Sequence, residues 1–307
     1  MMIEVRFARM IILGLICTFI CCLSGCSSDP DACRTGSARG GSESEPGGSH
    51  IACHAPWTLE ASSKRPALKN ERHLTRSAER EPASKPAAAP LSLGQLIRKY
   101  PNAIKTNGPR LQRIALTFDD VPDPRFTPQI LDVLRKYRVK ATFFIVGNRA
   151  AKHPALVKRI VREGHSIGNH SYSHPQFPKL GMRQFRSQII RTERIIGRIT
   201  GFRPRLIRPP YGEITEQQLK WAEARGYKLV NWNVDSLDWK GLSRAQVKRN
   251  ILSHAGKGSI ILQHGGGGTG SNLRGTIEAL PDVIETLRRK GYTFVTVPDM
   301  LNVPERK

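Results

Sequence analysis

The sequence has no cysteine between residues 54 and 307. All six cysteines lie near the N-terminus: Cys17, Cys21, Cys22, Cys26, Cys33 and Cys53. A disulfide framework and a cysteine metal site are therefore excluded for the rest of the chain. Cys33 and Cys53 could pair in an oxidising compartment, but the segment around them has few large apolar residues to form a core.

Acidic residues are also scarce. The chain has 25 Asp+Glu against 49 Lys+Arg. The excess lies in residues 96–307, which carry 38 basic and 16 acidic residues, a net charge of +22. Such a field attracts polyanions: nucleic acid, anionic lipid or an acidic cell-wall polymer. Charge alone does not choose among them.

A long hydrophobic run is the third missing feature. The apolar stretch Met10 to Leu23 spans about 14 residues, short of the roughly 20 that cross a bilayer. It follows Arg6 and Arg9, which is typical of a signal peptide. Leu23-Ser24-Gly25-Cys26 resembles a bacterial lipobox, which implies a signal peptide over residues 1–25 and a lipid on Cys26. An uncleaved signal anchor is the alternative. Either way the remainder is exported, so we expect an extracytoplasmic protein that is lipid-anchored to the cell membrane or secreted.

Residues 26–92 are rich in Ser, Ala, Gly, Pro and mixed charge. Such a composition buries too little apolar surface to offset chain entropy, so we predict a disordered linker. It would tether the following domain to the membrane or serve only as a permissive spacer.

Alternating strand and helix patterns begin at residue 93 and continue to about residue 303. Strands are predicted at 114–118, 140–146, 165–167, 205–207, 228–231, 259–262 and 292–295. Helices are predicted at 93–100, 128–137, 150–163, 182–199, 216–225, 243–254 and 280–290. This alternation predicts an α/β fold with a mostly parallel sheet that closes into a barrel. In such folds the loops after the strands carry the chemistry.

Two neighbouring carboxylates, Asp119 and Asp120, end the first strong strand pattern. Two buried ionised acids repel each other, so a metal ion and an arginine are expected beside them. His170 and His174 have a spacing that points both imidazoles the same way, and two histidines with a carboxylate form a common catalytic metal site. Each pair alone also fits helix-capping acids or solvent-exposed histidines.

Five motifs in this order resemble those of the NodB homology polysaccharide deacetylases, carbohydrate esterase family 4. They are Thr117-Phe-Asp-Asp120, His170-Ser-Tyr-Ser-His174, Arg208-Pro-Pro-Tyr211, Asp235-Ser-Leu-Asp-Trp239 and Leu262-Gln-His264. The resemblance covers roughly residues 113–297. It implies a distorted (β/α) barrel that hydrolyses N-acetyl groups of amino sugars in a polysaccharide.

The same resemblance implies a role for each matched acid and base. The metal ligands would be Asp120, His170 and His174, most often for zinc, with cobalt as an alternative, and the ion would activate a water molecule. Asp119 would be the general base. Arg208 would orient it, since a guanidinium fork suits a carboxylate.

A second proton transfer is needed because the sugar amine leaves only when protonated. His264 resembles the general acid, and Asp238 resembles the carboxylate that keeps its imidazole charged. The backbone N–H of Tyr211 would stabilise the oxyanion. Trp239 and Leu262 resemble the walls of an acetyl pocket, although ordinary core positions are the alternative for both.

Two local features depart from expectation. Val121 stands where the family usually has glycine after the acid pair, and a β-branched residue resists positive φ. The loop carrying both acids is displaced if its turn needs glycine, and unaffected if that residue is extended. Gly265 to Gly268 predict a mobile loop beside His264.

The leading hypothesis is a lipid-anchored, metal-dependent deacetylase acting on peptidoglycan N-acetylglucosamine or N-acetylmuramic acid, or on chitin-like oligosaccharides. Its basic surface would bind anionic cell-wall polymers. A catalytically impaired wall-binding lipoprotein is the alternative. A metal phosphoesterase acting on nucleic acid is less well supported, because the sequence shows no second metal site and no phosphate-binding motif.

Overall fold

The computed structural model describes residues 89–307. The predicted signal peptide, the lipidation site at Cys26 and the predicted linker up to residue 88 lie outside the described residues. None of the helices formed by residues 89–307 combines the length and the hydrophobicity needed to cross a lipid bilayer.

The centre of the described part is a sheet in which every pairing is parallel. Its strands are β1 (Ile104–Lys105), β2 (Arg113–Val121), β3 (Thr142–Ile145), β4 (Ser166–Asn169), β5 (Leu206–Ile207), β6 (Lys228–Val230), β7 (Val234–Asp235), β8 (Ser259–His264) and β9 (Thr293–Phe294). The order across the sheet is β1-β6-β5-β4-β3-β2-β8-β7, with β9 paired to β2. The predicted α/β class with a parallel sheet is confirmed.

The sheet must curl because β6 and β7 are joined by only three residues. From Val230 to Val234 the chain can span at most about 15 Å. In a flat sheet the six strand spacings between β6 and β7 would need about 29 Å. A bridge between Asn107, just after β1, and Ser259 of β8 brings the two sides of the curled sheet together. The predicted distorted barrel therefore has the form of a curled sheet, open between β1 and β7.

Helices cover the outside of the sheet. They are α1 (Leu93–Lys99), α2 (Thr127–Lys136), α3 (Gly147–Lys152), α4 (Pro154–Arg162), α5 (Met182–Thr200), α6 (Glu216–Ala224), α7 (Arg244–His254), α8 (Arg274–Arg289) and α9 (Val297–Leu301). Capping boxes start α1 at Ser92 and α6 at Thr215. In each, the hydroxyl accepts the backbone N–H of the glutamine three residues later, and the side chain of that glutamine accepts the backbone N–H of the capping residue.

Strand β2 lies in the middle of the core. Leu116 and Phe118 are fully buried, and the Phe118 ring stacks on Phe143 of β3 with centroids 5.2 Å apart. Burying a side chain of this size contributes about 1.5–3 kcal/mol. The strand that carries the acid pair is therefore anchored in the core by large apolar side chains.

Two predicted helices were wrong in their bounds. The predicted helix 150–163 is two helices, α3 and α4, separated at His153, because the residue before a proline is disfavoured in the helical conformation. The predicted helix 280–290 begins six residues earlier and contains Pro281 in its interior. Its long buried face, from Thr276 to Leu287, stabilises it despite the lost backbone hydrogen bond.

Candidate active site

The end of β2 brings both carboxylates of the acid pair to one cavity. Successive strand residues normally point to opposite faces of a sheet. Asp120 has φ +63°, a left-handed conformation that aspartate tolerates better than most residues. This turn interrupts the alternation, so Asp119 and Asp120 line the same cavity.

Val121 does not displace this turn. The positive φ belongs to Asp120 and not to Val121, which remains in strand β2 and is fully buried. The valine therefore adopts a conformation that suits a β-branched residue. Its side chain packs over Gly265, where an added Cβ would lie 2.5 Å from Val121 Cγ1.

The histidine segment after β4 is a tight loop rather than a helix. Ser171 and His174 have φ values of +68° and +60°. The Ser171 hydroxyl accepts the backbone N–H of His174 at 2.9 Å, and the Asn169 side chain accepts the N–H of Ser171 at 2.9 Å. These bonds offset the backbone strain and fix the direction of both imidazoles.

A second support for this loop comes from helix α5. The Gln188 side-chain oxygen accepts the backbone N–H groups of Tyr172 and Ser173, at 2.8 and 2.9 Å. The Asn169 side-chain amide donates to the carbonyl of Ile189 at 2.9 Å. Helix α5 thus holds the loop from behind, at the residues between the two histidines.

Asp120, His170 and His174 form a set suited to one metal ion. One ligand atom from each lies within 4.8 Å of the others. Asp120 Oδ1 is 3.6 Å from His174 Nε2 and 4.0 Å from His170 Nε2. Burial lowers the pKa of His170 to about 3, so its imidazole is neutral as a metal ligand requires.

The other nitrogen of His170 supports this reading. His170 Nδ1 lies 2.7 Å from the carbonyl oxygen of Arg208, so Nδ1–H donates and Nε2 is left to face the cavity. Two imidazoles and one carboxylate are the donor set of many catalytic zinc sites, with positions left for water and substrate. The residues present therefore fit the predicted metal.

Arg208 is fully buried and bonded through its whole guanidinium. Nη1 donates to Asp119 Oδ1 at 2.8 Å and to Thr117 Oγ1 at 2.8 Å. Nε and Nη2 donate to the carbonyls of Val230 and Asn231, at 3.0 and 3.2 Å. The group also stacks on the ring of Phe144, 4.0 Å from its centroid. Asp119 is consequently held in a single orientation.

Burial raises the pKa of Asp119 because the charged form loses water. The Arg208 guanidinium and His264 oppose this shift but do not cancel it. A carboxylate with a raised pKa accepts a proton more readily than an exposed one. Asp119 Oδ2 faces the metal set, 3.6 Å from His170 Nε2.

His264 lies opposite Asp119 in the sheet. The two are register partners on the hydrogen-bonded strands β2 and β8. His264 Nδ1 is 2.7 Å from Asp238 Oδ1, while Asp238 Oδ2 accepts the Thr276 hydroxyl at 2.7 Å and the backbone N–H of His264 at 2.9 Å. Burial alone lowers the pKa of His264, but the Asp238 carboxylate outweighs it and raises the pKa to about 9. The imidazole is therefore charged at neutral pH.

The acid pair, the two metal-site histidines and His264 line one cavity of about 630 Å³. Tyr211 and Trp239 stand at its rim with 58% and 57% of their surface exposed, so the alternative of ordinary core positions is wrong for Trp239. Leu262 is buried to 3% exposure in the cavity wall. Tyr211 has φ +60°, and its ring lies 4.8 Å from that of His174.

The glycines after His264 allow close packing beside the acid pair. A Cβ on Gly266 would lie 2.1 Å from the Asp120 carbonyl oxygen. The carbonyl of Gly267 accepts from Arg149 Nη2 at 2.8 Å, and Arg125 Nη2 donates to the carbonyls of Gly267 and Gly268. In place of the mobile loop expected from four glycines, the structure shows a segment bonded to two arginines.

Sequence reasoning missed several supporting residues. Gln188 lies in a helix 14 positions after His174 and matches no motif. Thr276 lies 38 positions after Asp238 in the chain, and Arg149 reaches the cavity from α3. Asn169 precedes His170 directly, and its small polar side chain at a strand end was the one available signal.

The fold and this site define a hydrolytic enzyme of the α/β class, with one histidine–carboxylate set suited to a metal among the described residues, at the carboxyl ends of parallel strands. Residues 106–230 match the family model described as polysaccharide deacetylase. The chain belongs to the polysaccharide deacetylase family, and the enzyme class predicted from the sequence, a polysaccharide N-deacetylase, is confirmed by this membership.

Three known proteins show the relationship. The chain is 48% identical to a peptidoglycan-N-acetylglucosamine deacetylase of Bacillus cereus, over 69% of this chain and 76% of the relative. It is 39% identical to the peptidoglycan-N-acetylglucosamine deacetylase PgdA of Listeria monocytogenes, over 64% of this chain but only 39% of that longer protein. A crystal structure of a peptidoglycan N-acetylglucosamine deacetylase with bound 4-naphthalen-1-yl-N-oxidanyl-benzamide superposes with a TM-score of 0.67 at 46% identity, covering 69% of this chain and 98% of that one.

Proposed function

We propose that this protein hydrolyses the N-acetyl group of N-acetylglucosamine residues in peptidoglycan. One observation carries the proposal: Asp119 and His264 are register partners on adjacent strands, and both line the cavity that holds Asp120, His170 and His174. The names of the Bacillus cereus and Listeria relatives support the substrate class.

The three ligand side chains would hold zinc, since two imidazoles and one carboxylate are typical of catalytic zinc, and cobalt is the alternative. Bound there, the ion supplies Lewis acidity toward the amide carbonyl and an acidified water. The Arg208 carbonyl keeps His170 in the tautomer that such a site needs.

Asp119 acts as the general base. It takes a proton from the water that adds to the amide carbon, and its raised pKa favours this transfer. Arg208 prevents the carboxylate from rotating away and stabilises its charge before the reaction. The backbone N–H of Tyr211 is proposed to donate to the oxyanion.

His264 acts as the general acid. Asp238 keeps the imidazole protonated, so His264 can give a proton to the amide nitrogen as the carbon–nitrogen bond breaks. Water adds across the bond, and acetate and the free sugar amine leave. Leu262 and Trp239, which line the cavity, are proposed to enclose the acetyl methyl group.

The cellular setting is also a proposal. The signal-peptide pattern and lipobox of residues 1–26 support an extracytoplasmic protein anchored by a lipid on Cys26 or secreted. The linker would let the domain reach the wall from the membrane. The net charge of residues 96–307 supports contact with anionic wall polymers.

The alternative function, a wall-binding lipoprotein with impaired catalysis, has no support in the site. The predicted general acid, general base and metal ligands all lie in the cavity. A two-metal phosphoesterase needs a second cluster of ligands. Within residues 89–307, the three-residue set around Asp120 is the single group with metal-binding geometry.

The test is acetate release by the purified full chain from peptidoglycan fragments and N-acetylglucosamine oligomers. Chelator should abolish the release and added zinc should restore it. Mass spectrometry of the digested fragments assigns the lost acetyl group to glucosamine or muramic acid. Loss from muramic acid alone would correct the sugar, and no metal-dependent release would refute the function.

A further inference from the structure

The outer face of α5 carries five arginines: Arg183, Arg186, Arg191, Arg194 and Arg198. All five are exposed, while the opposite face of the helix packs into the core through Phe185, Ile189 and Ile196. The five follow one another at intervals of three to five residues, so they share one face of the helix. We call this surface the α5 arginine stripe.

The stripe has no acidic partner among the residues that the structure describes. None of its arginines forms a salt bridge to residues 89–307. The one acid of α5, Glu193, is buried on another side of the helix, where Tyr227 and Lys307 contact it. By contrast, Arg244 of α7 pairs with Asp282, and Arg274 of α8 pairs with Glu278.

Aromatic rings hold part of the stripe in place. The guanidinium carbon of Arg191 lies 3.6 Å from the ring centroid of Tyr172, which stands between the two metal-site histidines. Arg186 lies 5.9 Å from the ring of Trp221. Such stacking already restricts the motion of these side chains, so they lose less conformational entropy when a ligand binds. The stripe therefore borders the active-site loop at one point.

We infer that the α5 arginine stripe binds a linear phosphodiester polymer. A guanidinium pairs with phosphate through two parallel hydrogen bonds, which makes arginine better suited to this ligand than lysine. From Arg183 to Arg198 the stripe is about 22 Å long, with a cation every 5–7 Å or so. A shallow depression of about 520 Å³ runs between Arg183 and Arg194. This inference deepens the proposed contact with anionic wall polymers, and it does not depend on deacetylase activity.

The composition of the stripe favours a polymer over a membrane surface. Helices that lie on membranes insert an apolar face into the lipid. The apolar face of α5 packs in the protein core, and Ile190 is the sole apolar residue of the depression, half-buried between arginines. The large apolar side chains that are exposed in the described part, Leu111, Tyr211 and Trp239, lie outside α5.

The experiment compares two full-length variants with equal charge loss. The stripe variant carries Arg183→Gln, Arg186→Gln, Arg194→Gln and Arg198→Gln, and leaves Arg191 on Tyr172. The control variant carries Arg110→Gln, Lys136→Gln, Lys257→Gln and Lys290→Gln, four exposed cations that form no salt bridge to the described residues. The probe is fluorescent poly(glycerol phosphate), titrated at several salt concentrations, and thermal unfolding verifies that both variants fold.

We expect the stripe variant to bind the polymer about tenfold more weakly or worse, with a flatter salt dependence, because it releases fewer counterions. The control variant should stay within about threefold of the wild type, as expected for a nonspecific charge effect alone. Equal losses in both variants would overturn the inference. Unchanged polymer binding by the stripe variant would also overturn it. If that variant at the same time bound phosphatidylglycerol vesicles more weakly than the wild type does, with no change for neutral vesicles, the surface would be assigned to a membrane.

Discussion

Arg208 and Asp119 form an ion pair that is closed to solvent, with Nη1 2.8 Å from Oδ1 and side-chain exposures of 0% and 4%. Removing one partner of a buried pair leaves an uncompensated charge, which costs roughly 3–5 kcal/mol of stability. A substitution of either residue is therefore expected to lower the stability of the fold as well as the activity. The site can be tested by changes that separate chemistry from folding.

Asp119→Asn should reduce the turnover number by about 10²- to 10⁴-fold, because the amide cannot take a proton from water. The metal ligands are unchanged, so bound zinc should remain stoichiometric. Acetate release and elemental analysis measure the two quantities on one sample, and thermal unfolding reports the cost of leaving Arg208 unpaired. A variant that retains a tenth of the activity would exclude Asp119 as the base.

Asp238→Asn should move the high-pH limb of the activity profile to lower pH. In the wild type His264 has a pKa of about 9, so activity should fall as pH rises through that value. Without the Asp238 charge, burial lowers the pKa of His264 and the limb shifts downward. A pH–rate profile of both proteins decides this, and coincident limbs would contradict the assignment.

The same pair predicts a pH dependence of stability. Since folding raises the pKa of His264, its contribution is complete below about 6.5, the pKa of an unperturbed histidine, and is lost as pH rises to about 9. The wild type should therefore lose unfolding free energy across this window. Denaturant titrations at several pH values should show a smaller change of unfolding free energy with pH for Asp238→Asn than for the wild type.

Gln188→Ala should weaken metal binding about 10- to 100-fold, because the loop between the two histidines loses its support from α5. Ser187→Ala is the matched control, an exposed neighbour on the same helix that makes no side-chain hydrogen bond within the described residues. Competition with a zinc chelator measures the affinity. Equal affinities for the two variants would show that the loop is rigid without Gln188.

Gly266→Ala should impair activity strongly, and Gly268→Ala should not. A methyl group on Gly266 would meet the Asp120 carbonyl at 2.1 Å, whereas nothing lies within 4 Å of one on Gly268. The forced shift costs about 1–3 kcal/mol and displaces a metal ligand. Acetate release and thermal unfolding of the two variants test this, and a fully active Gly266→Ala would show that the segment adapts.

The convergence of four of the five motifs was predictable because each of the four follows a predicted strand, and the carboxyl ends of parallel strands meet at one edge. Strands β1 and β7 were missed because each has two residues of which one is charged, Lys105 and Asp235, so neither shows an apolar run; β5 and β9 are equally short but carry no charge. The sequence also could not decide the effect of Val121. The answer depends on which residue takes the positive φ, and in the structure that residue is Asp120.

The supporting contacts were beyond sequence reasoning for a different reason. Gln188 and Thr276 act through side chains that reach distant segments, and their residue types are common in any helix. Only their positions in the folded chain, next to the segments that they hold, make them important. The roles assigned to the site residues remain predictions for the experiments above, and the lipid anchor and the linker remain predictions from the sequence.

The pairing of Asp119 with His264 on adjacent strands has a consequence for redesign. Their separation depends on the ladder spacing of the sheet, about 4.8 Å, and not on any loop. The rim residues Tyr211 and Trp239 could be exchanged with those of other family members, with Arg208 and Asp238 retained, while the spacing of the strands that carry the proton acceptor and the proton donor stays constant. Polymer preference should thus be transferable by loop grafting, with the bond-cleaving apparatus inherited intact.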